Sequence, residues 1–453
     1  MTNDTQAGGR LGGVWMRVLF LTQVLPYPLD AGPKVRAYYT LRHLAQRYSV
    51  SLLTFVRPSD PPGAVEHLRS MCETVETINI RRGRTRDAWH LARSLVGGTP
   101  FLIERDRNAE MIQAIHARFS SAHASEARSG GEAGFDVVHA DQLWMAPYGL
   151  LAAKAAGGSR RPALVLDQHN AVFQVPGRLA RHEVNPLKRA LLTREAHKMA
   201  SFEARICQDF DQVVWVTDED RVALASATGS RPESINERST VIPICVNPSE
   251  QPVVTHGSEV RRVTFLGGLH WPPNAEGARW FVRDIWPHVR VQAPEAVLTI
   301  IGKDPPRALA RLGSGSAGVE ITGFVPDPTV LLSETAAFIV PLQAGGGMRV
   351  KILDAWCRGL PVISTSLGAE GLLARDGENL LLADTPELFA RAVVRVLREP
   401  TLAARLAEGG RRTVEANYDW RRVYPAWDDV YERALVGRSG RDFSSAWPAA
   451  PSR

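Results

Sequence analysis

Cysteine is scarce in this chain. Its 453 residues contain four, Cys72, Cys207, Cys245 and Cys357, scattered with no C-x-x-C pair. That argues against a disulfide scaffold and a cysteine zinc site, and for a reducing compartment. Long apolar runs are missing as well, and none approaches the roughly 18–20 residues of a membrane-spanning helix. Charge of one sign hardly dominates: 54 basic against 48 acidic residues leave +6, too small an excess for this length to name a partner. Lysine is rare at 6 of the 54, so each one stands out against arginine. With 44% apolar and 23% charged residues, disordered, collagen-like and coiled-coil chains are excluded.

What is present is alternation. Short runs rich in Val, Ile and Leu alternate with helical stretches, the pattern of an α/β protein with parallel sheets. The first half offers strand candidates at residues 17–24, 49–56, 135–140, 163–169 and 212–217, and a last one at 241–246. Between the first two, Val35, Tyr38, Tyr39, Leu41 and Leu44 fall at helical spacing, which makes a doubly wound unit. Residues 247–260 are polar with two prolines, and then the pattern restarts at 262–267, 297–302, 319–324, 336–342, 361–365 and 380–383. Two doubly wound α/β domains are expected, 14–250 and 258–418, followed by a helical stretch at 420–435. Residues 1–13 and 436–453 are expected to be flexible tails, and 120–134 and 157–161 surface loops. Arg17 and Gln23 interrupt the apolar segment 14–29, which therefore reads as a buried strand and not as a signal peptide. A cytoplasmic protein is the expectation.

The most informative stretch is Gly345-Gly346-Gly347-Met348-Arg349-Val350-Lys351-Ile352-Leu353-Asp354. A strand ends at Leu342, and three glycines open a helix expected to stop at Gly359. A helix N-terminus favours an anion, and glycine lets a diphosphate approach the backbone closely. Arg349 and Lys351 add two cations, and Asp354, one turn on, can accept from ribose hydroxyls. The plainer reading is a turn with solvent-facing charges and Asp354 paired to Arg358. Two further elements follow strand ends, where open α/β sheets bind ligands. Gly267 and Gly268 lead to Asn274, a plausible N-cap for a helix at 275–290. Leu367, Gly368, Ala369 and Glu370 can present backbone amides and a carboxylate to a sugar.

These residues resemble the retaining glycosyltransferases of the large GT4 family (glycosyl transferases group 1). Its GT-B fold has two Rossmann-like doubly wound domains facing a central cleft. The marks are Pro26-Tyr27-Pro28-Leu29-Asp30-Ala31-Gly32, Asp136-Val137-Val138-His139, Asp167-Gln168-His169-Asn170, Val241-Ile242-Pro243, the run 345–355 and the run 364–372. The resemblance implies a nucleotide-sugar on the C-terminal domain, an acceptor on the N-terminal domain, and a return of residues 420–435 to the first domain. Arg349 and Lys351 take the place of the diphosphate-binding cations, and Asp354 that of a ribose-binding glutamate. Gly32 matches the first-loop glycine near the diphosphate, and Phe324 and Val325 the wall against the base. Gly346 and Gly347 complete the donor loop. The family's paired glutamates would fall at Gly346 and Asp354, so one is absent and the other a methylene shorter. Where several members carry a His two places after the residue matching His139, this chain has Asp141.

The resemblance implies transfer by front-face attack without an enzyme nucleophile, the leaving diphosphate taking the acceptor's proton. The protein then supplies charge stabilisation and orientation. His139, Asp141 and His169 follow N-terminal strands, where they either touch donor sugar or acceptor, or are structural. Asp218-Glu219-Asp220 mimics a D-x-D metal motif but starts a helix, where acids are favourable, so no metal is implied. The expected activity moves a hexose-type sugar from a UDP- or GDP-linked donor to a hydroxyl of a glycan, lipid-linked or small-molecule acceptor, with retention and no cofactor. A nucleotide-sugar epimerase of the same fold is the alternative. A nucleic-acid binder lacks any aromatic–basic module. Arg81, Arg82, Arg84 and Arg86 ahead of Trp89, Leu91 and Leu95, and the basic stretch 179–205, suit either an anionic membrane at the inner face of the plasma membrane or a solvated helix face.

Overall fold

The computed structural model describes residues 10–11, 14–129, 134–157, 161–229, 238–254 and 261–438. The chain divides into two units, Met1–Ile244 with Val423–Arg453, and Cys245–Arg422. In the first unit seven strands form one parallel sheet: β1 (Arg17–Thr22), β2 (Ser49–Val56), β3 (Thr74–Asn79), β4 (Val137–Asp141), β5 (Ala163–Gln168), β6 (Gln212–Trp215) and β7 (Ser239–Val241). Their order is β3-β2-β1-β4-β5-β6-β7. Val18, Leu19, Phe20 and Leu21 of β1 are fully buried, because a central parallel strand is covered on both faces and so reads as a continuous apolar run. The winding reverses between β1 and β4, and a ligand crevice is expected beyond their carboxyl ends.

Four local readings need correction. The edge strand β3, Thr-Val-Glu-Thr-Ile-Asn, was not foreseen, since its mixed polarity suits an edge and not a core run. The ladder of the last strand ends at Val241, where it was expected to begin; Pro243 has no N–H to continue it. The helix Ala109–Ser129 runs through most of the segment read as a loop at 120–134, whose residues 130–133 lie outside the described ones. In the segment 157–161, residues 158–160 are also outside, and Arg161 is no surface residue: it is buried and grips Asp211 through two bonds of 2.8 Å.

The second unit holds six parallel strands: β8 (Arg262–Leu266), β9 (Val297–Ile301), β10 (Val319–Gly323), β11 (Thr335–Val340), β12 (Val362–Ser364) and β13 (Leu381–Leu382). Their order, β10-β9-β8-β11-β12-β13, repeats the winding of the first unit and places a second reversal between β8 and β11. The helix after β8 starts at Pro272, not after Asn274, because proline is tolerated in a first helical turn. Asn274 is thereby released from capping, with consequences for the site. Residues 420–435 are not one helix. Trp420–Val423 and Ala426–Val436 flank Tyr424 and Pro425, and the second piece buries Trp427, Val430 and Tyr431 within the first unit.

Candidate functional site

In the second unit three loops meet at the carboxyl ends of β8, β11 and β12. Lys351, in the first turn of the helix Val350–Cys357, points back across β8. Its Nζ donates to Asn274 Oδ1 at 2.8 Å and lies 4.5 Å from the centre of the Phe265 ring. Asn274 is itself fixed by donating Nδ2 to the Gly268 carbonyl at 2.9 Å. A Cβ on Gly267 would stand 2.6 Å from that ammonium, so the glycine makes its room. Among the described residues no carboxylate pairs with Lys351. Burial, followed by the positive charge of Arg349, pushes its pKa down to about 7. A lysine held this way gains most from an anion that restores its charge.

Arg349 plays a different part from the one its spacing suggests. It stands at the N-cap of the helix, and its guanidinium donates to the carbonyls of Gly346, Gly347 and Leu367, with Glu370 at 4.0 Å. It ties the loop after β11 to the loop after β12. Gly345 and Gly347 have φ of 127° and 71°, which only glycine adopts without strain, so the turn depends on them. Gly368 donates its N–H to Thr365 Oγ1, which in turn donates to the Leu342 carbonyl, a second tie between the same loops. Leu367 and Ala369 lie on this fastened segment. Asp354 accepts from Arg358 Nε at 3.1 Å, the plainer of its two readings. Phe324 stands 63% exposed just beyond β10 with Val325 behind it, an aromatic face open for stacking.

The first unit carries a charged cluster beside its own reversal. Arg36, fully buried on the helix Gly32–Ala45, holds Asp167 with two bonds of 2.9 Å. It also donates to the Pro243 carbonyl and to Tyr424 Oη, and lies 5.0 Å from the ring centre of Trp427. Asp141, the last residue of β4, accepts from His169 Nε2 at 2.8 Å and from Thr22 Oγ1 at 2.7 Å. Burial disfavours a charged His169, but Asp141 and then Asp167 outweigh it and raise its pKa to about 9. Burial likewise opposes an ionised Asp167, yet Arg36 and His169 hold it well below the usual carboxylate range. Gln142, next after Asp141, has φ of 71°, a strained conformation of the kind that gathers at functional sites.

The two histidines part company here. His139 stacks on Phe20 at 4.4 Å and contacts Tyr431 Oη through Nδ1 at 3.0 Å. Burial depresses its pKa to about 4, so it is a neutral packing residue. His169 carries a buried Nδ1 and His139 a buried Nε2, each without a hydrogen-bond partner, so it is the charge and not the open nitrogen that separates them. His139, Asp141 and Asp167 bring donor atoms within 4.8 Å of one another, but Arg36 and His169 already neutralise both carboxylates, and a further cation would meet two positive neighbours. Asp220 accepts from Thr217 Oγ1 and from the Ala171 N–H, fastening the loop after His169. Gly32 begins the helix that delivers Arg36. Asn274, Thr22, Arg36 and Asp167 were not foreseen as site residues. Asp167 had a signal as part of the run 167–170, and Asn274 as the end of the glycine element after β8.

Residues 260–399 match the family model described as glycosyl transferases group 1. The chain is 26% identical over 169 residues to an uncharacterized 44.6 kDa protein of the cps region of Klebsiella pneumoniae, covering 36% of this chain and 44% of that protein. It is 30% identical over 114 residues to LpsE of Rhizobium meliloti, a lipopolysaccharide core biosynthesis glycosyltransferase, covering 25% and 33% of the two. The chain thus spans less than half the length of these curated relatives. Anabaena HepE, solved in complex with UDP and glucose, superposes with a TM-score of 0.62 at 14% identity over 92% of this chain and 99% of that one. That likeness concerns the fold, which is GT-B: two parallel-sheet α/β units.

Proposed function

We propose that the protein is a glycosyltransferase that moves a sugar from a nucleoside-diphosphate donor to a hydroxyl acceptor, with retention at the anomeric carbon. The observation that carries the reading is Lys351: an ammonium without a carboxylate, set in a glycine-lined space at the reversal of the second sheet. A diphosphate supplies the missing charge, and the negative charge that grows as the donor breaks is stabilised where it forms. Arg349 keeps the surrounding loops at a fixed spacing, so their backbone amides are pre-set for phosphate oxygens. Phe324 offers a stacking face for the base. In the first unit, protonated His169 has an Nδ1–H to donate to a sugar or acceptor oxygen. The group 1 match of residues 260–399 supports the donor assignment, and the retaining outcome rests on the resemblance of the run 345–355.

The test is incubation of the full chain with UDP- and GDP-linked sugars and candidate acceptors. Free nucleoside diphosphate together with a glycosylated product is expected. A nucleotide-sugar altered in its sugar, with no diphosphate released, would instead identify an epimerase.

Contact with an anionic membrane belongs to the same reading. Trp89 is 62% exposed on the helix Arg84–Val96, and Leu187 and Leu191 are exposed on Pro186–Asp209. Lys198 and Arg194 of the latter helix donate to carbonyls at residues 94–99, joining the two into one basic and apolar surface. No helix among the described residues is long and apolar enough to cross a membrane, so attachment would be interfacial. Flotation with phosphatidylglycerol vesicles tests it. Protein that stays at the bottom of the gradient contradicts it.

A further inference from the structure

The strand end that leads to His169 is gripped on both faces of the sheet. Side chains alternate along a strand, so Asp167 and His169 turn to one face and Gln168 to the other. On the first face Arg36 holds Asp167 and Asp141 holds His169. On the second stands Glu203, fully buried on the helix Pro186–Asp209. Its Oε1 accepts from Gln168 Nε2 at 3.2 Å and from the Val172 N–H at 2.8 Å. Its Oε2 accepts from the Phe173 N–H at 3.0 Å. Gln168 directly precedes His169, while Val172 and Phe173 follow it within one short turn. One carboxyl group thus ties together the two ends of the segment that carries the imidazole.

Asp220, on the helix Asp218–Thr228, takes the neighbouring N–H of Ala171 at 3.0 Å. The backbone N–H groups of Ala171, Val172 and Phe173 therefore all end on carboxyl groups, brought by two separate helices. Capping of the helix Gln174–His182 would by itself account for the bonds from Val172 and Phe173. It does not account for the bond from Gln168, which belongs to β5 and reaches Glu203 from the other side of His169. Nor does capping need a fully buried acid, a costly group to desolvate, where serine, threonine or water serves. The arrangement is that of a strap across the back of the imidazole.

We propose that Glu203 is a positioning residue for sugar transfer: it sets the backbone turn at His169 so that Nδ1 faces the reacting oxygen, without itself touching substrate. This rests on the glycosyltransferase reading and on His169 as its donor group, whereas the strap stands on the three bonds to Glu203 alone. Glu203→Gln keeps the size of the side chain but removes one acceptor oxygen and sets an NH2 group against a backbone N–H.

The test is a double-mutant cycle on the full chain. Glu203→Gln should lower kcat by about tenfold or more, because small displacements of a positioned group are expensive. The KM for the nucleotide-sugar should stay as in the wild type, since the loss falls on the reacting step and not on donor binding. In a His169→Gln background the same substitution should cost little more, because the group it positions is already gone. An equal fold loss in both backgrounds would show a purely structural role and overturn the proposal, as would a kcat that Glu203→Gln leaves unchanged. Should that variant fail to fold, Glu203→Asp carries the same comparison, with a carboxyl group one methylene short of the loop. Hydrogen exchange reads the strap without turnover. The amides of Val172 and Phe173 should exchange about tenfold faster or more in Glu203→Gln, with β4 unaffected. Unchanged protection there would also overturn the proposal. If the wild type transfers no sugar, the glycosyltransferase reading fails, while the exchange comparison still decides whether Glu203 holds the His169 segment.

Discussion

His169 Nε2 lies 2.8 Å from Asp141 Oδ1 across two adjacent strands, and the pairing keeps the imidazole protonated up to about pH 9. Without Asp141 only Asp167 still opposes the desolvation of the buried ring, and its pKa falls towards the ordinary histidine value of about 6.5. Asp141→Asn should therefore move the alkaline fall of transfer activity from near pH 9 down towards about pH 7. At pH 7.5 the rate should drop by up to about tenfold, because at a pKa of about 6.5 roughly one ring in ten stays protonated. A pH–rate profile with an unmoved alkaline limb would show that the pair is structural only.

Lys351 should trade stability for function. Its pKa is about 7 in the folded chain against 10.5 for an unperturbed lysine. Between those values the unfolded chain holds more protons, so the wild type gains stability as pH rises through this window. Below pH 7 the cost of charging Lys351 is fully present. Lys351→Met should thus melt above the wild type at pH 6, the gap narrowing steadily towards pH 10. A melting temperature at pH 6 equal to or below that of the wild type would mean the ammonium is not strained.

Gly267 and Gly302 separate the site from the scaffold. A Cβ on Gly267 meets the far end of the Lys351 side chain, which can move away, whereas a Cβ on Gly302 meets the Gly267 carbonyl itself at 2.0 Å. Gly267→Ala should lower nucleotide affinity about tenfold with little change in the unfolding midpoint. Gly302→Ala should cost stability through forced backbone movement, by about 1–3 kcal/mol. Urea denaturation beside nucleotide titration checks both, and equal stability losses would contradict the distinction.

Arg36 is predicted to hold up the first unit. Arg36→Ala leaves Asp167 ionised and buried without its partner, which costs about 3–5 kcal/mol. Arg36→Lys should recover only part, because one ammonium cannot make both bonds to Asp167 and still reach the Pro243 carbonyl. Chemical unfolding monitored by tryptophan fluorescence measures the series. A fully stable lysine variant would contradict the geometry.

The central strands were legible because burial on both faces writes an unbroken apolar run, as in Val18 to Leu21. The edge strand β3 was not, because only Ile78 of its six residues is buried. The glycine run and Lys351 were visible as a phosphate cradle, but sequence spacing could not say that Arg349 turns inward to carbonyls while Lys351 is left with an amide. That depends on Asn274, whose release from capping follows from a helix starting three residues earlier, at Pro272. His139 and His169 looked equivalent at strand ends. Only the packing of Phe20 and Tyr431 against one, and of Asp141 against the other, tells them apart.

The claim that Lys351 receives the diphosphate is tested most directly by calorimetric titration of UDP and GDP at pH 8, in buffers of different ionisation enthalpy. The wild type should take up close to one proton on binding the preferred nucleotide, because the anion recharges Lys351. Lys351→Ala should bind at least tenfold more weakly and without that proton. Equal affinity and equal proton uptake in the two proteins would contradict the assignment.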